Sequence, residues 1–252
     1  MTGQLAGKVA LVTGGGKGIG RAIALAYADE GADVAVVGRD AAALQEVADA
    51  IAARGRKGLA LAGDISDVAG LPALFDRATD ALGELDVLVN NAGQQHTAPA
   101  EELTEAQWDA TMDTNLKALF FCSQEAGRRF LKRGEGGRIV NVGSTYSVVA
   151  WPEFSAYCAS KGGVIQLTRA LAVEWAKHGI NVNAVGPTAV YTDMMREMLD
   201  DPGFREAYLP RVPGGEFPQP EDIAAAAVFL AGPGSRFVHG QQLLVDGGYT
   251  VM

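Results

Sequence analysis

Cysteine and histidine are scarce in this chain of 252 residues, which has two of the first and three of the second. Cys122 and Cys158 cannot build a disulfide framework, and they read as reduced, small core residues. His96, His178 and His239 fall at no metal-ligand spacing, so no metal is expected. Positive charge is also short, with 21 Lys and Arg against 30 Asp and Glu for a net charge of −9. Such a balance argues against nucleic acid as a partner, since that binding needs clustered cations. Long apolar runs are missing as well. The longest, near Ile223–Ala231, falls short of the ~18 residues of a membrane span, so no membrane partner is expected. Met1–Lys8 lacks the charged and apolar regions of a signal peptide. With 48% apolar and 20% charged residues, disorder is excluded and a sizeable core is expected. The expectation is a cytoplasmic globular protein.

Glycine is plentiful and sits at the ends of short apolar runs instead of gathering into a linker. The runs are Val9–Thr13, Asp33–Val37, Gly58–Ala62, Val87–Asn90, Arg138–Val142, Asn181–Val185 and Gln242–Val245. Each is apolar along most of its length, as a parallel strand covered on both faces requires. Amphipathic stretches lie between them at Ile19–Glu30, Ala41–Arg54, Leu71–Leu82, Glu105–Arg133 and Ala156–Lys177. The alternation predicts an α/β, doubly wound Rossmann fold, with a seven-stranded parallel sheet and helices on both faces. No compositional break interrupts it, so residues 1–252 read as one domain. One connection, about 188–220, is long enough for a substrate lid, with a helical patch at Met194–Leu199.

The first strand runs through Thr13-Gly14-Gly15-Gly16-Lys17-Gly18-Ile19-Gly20 straight into a helix. Glycines allow a sharp turn and close backbone approach to a pyrophosphate, and the helix N-terminus adds unpaired N–H donors and partial positive charge. Position between first strand and first helix makes this a dinucleotide site, although the spacing departs from the commoner Gly-x-Gly-x-x-Gly. Further along, Tyr157 and Lys161 are four residues apart on a helical pattern and share one face. A tyrosine with pKa ~10 is a poor base at neutral pH, and a neighbouring ammonium favours its phenolate. The pair suits proton exchange with an alcohol or carbonyl.

These motifs, with Asp64-Ile65, Asn90-Asn91-Ala92-Gly93, Asn115, Ser144, Asn183-Ala184-Val185-Gly186-Pro187 and Asp246-Gly247-Gly248, resemble the short-chain dehydrogenase/reductase family in order and separation from Lys8 to Gly248. The resemblance implies a nicotinamide-dependent oxidoreductase acting on a carbonyl/secondary alcohol pair. It implies that Tyr157 exchanges the proton, Lys161 also holds the nicotinamide ribose, Ser144 bonds the substrate oxygen, and Asn115 holds a water linking Lys161 to solvent. It further implies cofactor contacts from Gly14, Lys17, Gly18, Ile19, Gly20, Arg39, Asp64, Ile65, Asn91, Ala92, Gly93, Pro187, Thr188, Val190 and Thr192. A homotetramer follows from the family's pairing of its two long helices and of its last strand.

Two places depart from the family pattern. Thr188 stands where glycine usually follows Pro187, and Leu209–Phe217 lacks the usual basic, glycine-flanked form. The pocket is assigned to His96, Tyr146, Trp151, Phe154, Tyr191, Met194 and Met195, which suggests a medium-sized carbonyl with an apolar portion. For the cofactor, the second strand ends at Gly38-Arg39, so the carboxylate that NAD enzymes place there is missing and a guanidinium follows. Lys17 adds a second cation and Asp40 opposes it. NADP is therefore favoured, with NAD the alternative. Other readings are a sugar or polyol dehydrogenase using NAD, and a catalytically silent cofactor-binding sensor.

Overall fold

A computed structural model describes residues 3–192 and 195–252. The strands are β1 (Val9–Thr13), β2 (Asp33–Gly38), β3 (Gly58–Ala62), β4 (Val87–Asn90), β5 (Gly137–Val142), β6 (Ile180–Pro187) and β7 (Gln242–Val245). The helices are α1 (Gly18–Asp29), α2 (Ala41–Ala52), α3 (Leu71–Leu82), α4 (Glu105–Met112), α5 (Leu119–Arg133), α6 (Ser155–Trp175), α7 (Arg196–Asp200), α8 (Pro202–Tyr208) and α9 (Pro220–Ala231). All strands pair in parallel in one seven-stranded sheet of order β3-β2-β1-β4-β5-β6-β7. This is the doubly wound Rossmann arrangement that the alternating pattern predicts.

Side chains alternate across each strand, so a strand apolar throughout feeds two cores. Ala10 and Val12 of β1 pack on one face with Ile23 and Tyr27 of α1, Leu44 of α2 and Ile223 and Ala227 of α9. Leu11, between them, points to the other face with Phe75 of α3, Phe130 of α5 and Trp175 of α6. A third core, lying off the sheet, gathers aromatic rings from α8, the loop before α6 and the C-terminal end.

Three departures from the predicted elements have local causes. The stretch 105–133 is interrupted by a π-helical turn, Asp113–Ala118, between α4 and α5. That turn carries Asn115 inward with no exposed surface. Helix α9 covers the run that reads only as apolar. Pro220 at its first turn and an Asp222 carboxylate accepting the Gln219 N–H start it, and an almost unbroken apolar face hides its period. Helix α8 is absent from the sequence reading because Pro202 and Gly203 open it, yet Asp201 caps it by accepting from the Phe204 N–H.

The connection β3→β4 returns the chain to the opposite side of β1, so the loops after β1 and β4 leave in opposite directions. A crevice therefore opens beyond the carboxyl ends of these strands.

Candidate active site

A single cleft of about 470 Å³ fills this crevice and is lined from the ends of β1 through β6. Its first end is built on the glycine turn. Gly14 has φ +64°, and a Cβ there would lie 2.8 Å from Asn91 Nδ2 and 2.9 Å from Ala92 Cα. The turn delivers the N-terminus of α1, whose first N–H groups have no partner within the helix. Thr13 and Asn91 fix it: Thr13 Oγ1 accepts from the Asn91 and Ala92 N–H groups, and Asn91 Nδ2 donates to the carbonyls of Thr13 and Gly14. Gly20 does not line the cleft. Its Cβ would come 2.2 Å from the Gly14 carbonyl oxygen, so this glycine is a packing requirement beneath the turn.

Charges ring this end. Arg39 lines the cleft, while Lys17 Nζ lies 2.8 Å from the Asp40 carboxylate, with both side chains more than half exposed. That bond, the Ala43 N–H and the Lys17 charge hold the Asp40 carboxyl below its ordinary range. Asp64 is also held low, first by the Ser66 N–H. A cradle that a Cβ would fill, main-chain donors and a guanidinium together fit a diphosphate-bearing dinucleotide.

At the other end, Ser144, Tyr157 and Lys161 face the same cleft. Ser144 follows β5, while α6 carries the other two on one face. The Ser144 hydroxyl stands beside the Tyr157 phenol and favours its ionised form. Burial outweighs that effect, and the Tyr157 pKa is pushed up to about 12. The lowering expected from a neighbouring ammonium is therefore not seen in the chain alone. Lys161 is only 4% exposed, its Nζ donates to the Val142 carbonyl at 2.8 Å, and it lies 5.6 Å from the Tyr157 ring centroid. Burial lowers its own pKa to about 8. Asn115 lies outside the cleft lining. Its carboxamide accepts from the Gln94 N–H at 2.8 Å and donates to the Gln94 carbonyl and Ser160 Oγ, and Ser160 Oγ donates to the Tyr157 carbonyl.

Every expected cofactor contact except Gly20 faces the cleft, as do Tyr146, Phe154 and Met195 of the expected pocket. Three others do not. His96 Nδ1 pairs with Thr111 Oγ1, Trp151 packs on Phe204 and Tyr208, and the Tyr191 hydroxyl donates to Asp200. Met194 lies outside the described residues. Four residues absent from the sequence reading belong here: Gln94, Gln95 and Tyr208 line the cleft, and Gln242 bridges the Ser144 carbonyl to the Ser147 hydroxyl. Only adjacency to Asn-Asn-Ala-Gly could have pointed to the glutamines; nothing local marks Tyr208.

Residues 14–250 match the family model adh_short_C2, described as enoyl-(acyl carrier protein) reductase. The chain is 44% identical to D-threitol dehydrogenase of Mycolicibacterium smegmatis, over 98% of this chain and 95% of that one. It is 40% identical to 2-dehydro-3-deoxy-D-gluconate 5-dehydrogenase of Dickeya dadantii, over 98% and 97%. The crystal structure of a gluconate 5-dehydrogenase from Burkholderia cenocepacia in complex with NADP and tartrate matches with a TM-score of 0.94 at 35% identity, covering 98% and 97%.

The depressed Lys161 pKa carries a stability consequence. Below pH 8 the residue is protonated in folded and unfolded chains alike, and the burial cost is fully present. Between about 8 and an ordinary lysine value the unfolded chain binds the extra proton, so stability rises with pH. Lys161→Met is expected to stabilise the chain by about 3 kcal/mol at pH 7, and the gain should vanish by pH 10.5 in urea titrations. An unchanged or lowered stability at pH 7 contradicts a buried, costly ammonium.

Proposed function

Since this chain belongs to the short-chain dehydrogenase/reductase family, we propose that Tyr157 is the general acid/base of its hydride transfer and that the substrate is a polyhydroxylated carbonyl or alcohol. The protein is an oxidoreductase that moves a hydride between a nicotinamide cofactor and a carbonyl/secondary alcohol pair. One observation carries the proposed mechanism: the Ser144–Tyr157–Lys161 group and the glycine cradle open onto the same cleft.

When bound, the nicotinamide supplies or takes the hydride. Gly14, Gly18 and Ile19, with Asn91–Gly93 opposite, would hold the dinucleotide, and Lys161 its ribose. Tyr157 Oη gives its proton to the carbonyl oxygen in reduction and takes it back in oxidation. The Ser144 hydroxyl donates to the same oxygen and, by favouring the phenolate, shares the charge. Asn115 is a positioning residue, joining the loop after β4 to the turn of α6 that carries Tyr157. The intact set speaks against a catalytically silent sensor.

The sugar or polyol class rests on similarity to dehydrogenases of threitol and of a deoxygluconate, and on walls that are more polar than the sequence implies. With Trp151 and Tyr191 turned away, Phe154, Met195 and the hydroxyl-bearing rings of Tyr146 and Tyr208 line this end with Gln94, Gln95 and Thr145.

For the cofactor, NADP is the reading that Gly38-Arg39 supports: no carboxylate opposes a 2′-phosphate at the end of β2, and Arg39 offers a planar cation. Lys17 contributes less, because Asp40 takes up its charge. Residues 1–252 are read as one unit whose lid is 188–220, containing α7 and α8. No helix of the described residues is long and apolar enough to cross a membrane, and two free cysteines suit a cytoplasmic setting.

A homotetramer is the proposed assembly. Leu116, Phe120 and Leu167 line an apolar groove of about 570 Å³ where the π-helical turn and α5 meet α6. Phe237, Leu243, Val251 and Met252 form a second exposed set around β7 and the C-terminal end. Two such faces, each meeting its own copy, close a tetramer.

Three measurements test these readings. Tyr157→Phe should lower kcat by about 10²–10⁴-fold while cofactor still quenches protein fluorescence at native concentrations; near-native turnover removes Tyr157 from proton transfer. Arg39→Ala should raise the KM for NADP(H) by about 10–100-fold, as loss of a charge-assisted hydrogen bond implies, and leave NAD(H) nearly unchanged. Equal losses would mean that Arg39 stacks on adenine. Light scattering at micromolar concentration should give four times the chain mass of 26.3 kDa, and a monomer rejects the assembly.

A further inference from the structure

We infer that the substrate is an uncharged polyol or its ketose, not a sugar acid, and that Tyr208, paired with Thr188, reads its hydroxyl groups. This rests on the polyhydroxylated reading above and narrows it.

The first ground is charge. Among the described residues lining the cleft, the cations are Lys17 and Arg39 at the phosphate end and Lys161, already committed to the Val142 carbonyl. Beyond Tyr157 the polar lining consists of hydroxyls and amides. Two neighbouring arginines, Arg205 and Arg211, are turned to other work. Arg205 donates to the Leu199 carbonyl and lies over the Phe217 ring, and Arg211 lies over the rings of Trp151 and Tyr249. His96 is held by Thr111. A sugar-acid carboxylate entering this end loses its water and gains no described cationic partner beyond Lys161, in a protein of net charge −9.

The second ground is the donor set. Tyr208 is 1% exposed yet lines the cleft, and its hydroxyl lies 2.8 Å from Thr188 Oγ1. The ring is clamped between Phe204, at 5.0 Å between centroids, and Tyr249, at 4.9 Å and 7° from parallel. The Tyr146 hydroxyl joins the same group. With the Tyr146 and Tyr249 hydroxyls in the same cluster, O–H groups spent on one another leave at most one free donor beside several lone pairs. That balance matches an alcohol, which both gives and accepts, and serves poorly an acceptor-only carboxylate. Thr188 itself follows β6 and lines the cleft, where glycine would leave no hydroxyl at all.

The test compares erythritol, xylitol and sorbitol with erythronate, xylonate and gluconate as substrates for oxidation by the wild-type enzyme. The best polyol should exceed the best acid at least about 100-fold in kcat/KM, the size expected when a site's buried polar groups are mismatched. Tyr208→Phe should raise polyol KM by about tenfold, the loss of one hydrogen bond, with kcat and the cofactor dissociation constant unchanged. Should Tyr208→Phe unfold, as thermal melting would reveal, Thr188→Val tests the same pair and should raise KM alike, while Thr188→Ser restores it. A sugar acid equal to or better than the polyols overturns the neutral-substrate assignment and leaves the polyhydroxylated reading standing. Turnover confined to aryl or steroid ketones overturns both. Native polyol KM in Tyr208→Phe, or in Thr188→Val where Tyr208→Phe unfolds, overturns the reading role of the pair, as does a cofactor constant that moves with Tyr208→Phe.

Discussion

The hydrogen bonds between Thr13 and Asn91 hold together the point on which the rest of the site depends. They tie the ends of β1 and β4 where the chain changes direction across the sheet, and where two diverging loops would otherwise leave a gap. Thr13 Oγ1 also donates to the Val89 carbonyl, so one buried hydroxyl serves both strands. With the clamp in place, the glycine turn cannot drift and the N-terminus of α1 faces the cleft. Behind it, Asn90 reaches Ser123 and Asn141, and Asn141 reaches Thr168, which carries the same polar bracing across to α5 and α6. Donors buried this way are costly if left unpaired, so the Asn90 and Asn141 amide N–H groups favour one register.

The reacting end obeys a different constraint. Burial raises Tyr157 and lowers Lys161, each away from its charged form, and both carry a desolvation cost for being where they are. The surroundings explain why they stay: α6 enters the floor of the cleft, and Lys161 donates to the Val142 carbonyl at the end of β5. Each therefore favours its uncharged form more than it would in water, and a charge bound nearby would shift that balance. The aromatic cluster beside it is rigid, with Tyr208 and Tyr249 stacked and Tyr146, Phe154 and Tyr157 meeting edge to face. Packing there fixes the positions of hydroxyls that would rotate freely at a surface.

Much of this was legible from residue order. Strands buried on both faces must be apolar at nearly every position, so Val9–Thr13 and Val87–Asn90 stand out and their boundaries agree with the structure. The glycine turn, Tyr157-x-x-x-Lys161 and Gly38-Arg39 are local patterns whose chemistry follows from spacing. Helix α9 was not legible as a helix, because a run apolar on nearly all faces hides its period. The π-helical turn was not legible either; only an irregularity at Asn115 could be suspected, since a single residue inserted into a helix leaves composition unchanged.

What the chain determined by itself is therefore the layered fold, the place of the glycine cradle and that of the Tyr157–Lys161 pair, all set by short-range periodicity. Side-chain direction was decided only in three dimensions. Trp151 and Tyr191 read as pocket walls, yet the packing of α8 and the reach of Asp200 turn them away; Gly20 reads as a cofactor contact, yet it is the space that the Gly14 carbonyl requires. Tyr208 shows the converse. It comes from a proline-rich stretch with no motif, and it enters the cleft because Tyr249, near the end of the chain, stacks against it. Contacts between residues far apart in sequence depend on how the layers close, and no local spacing encodes that.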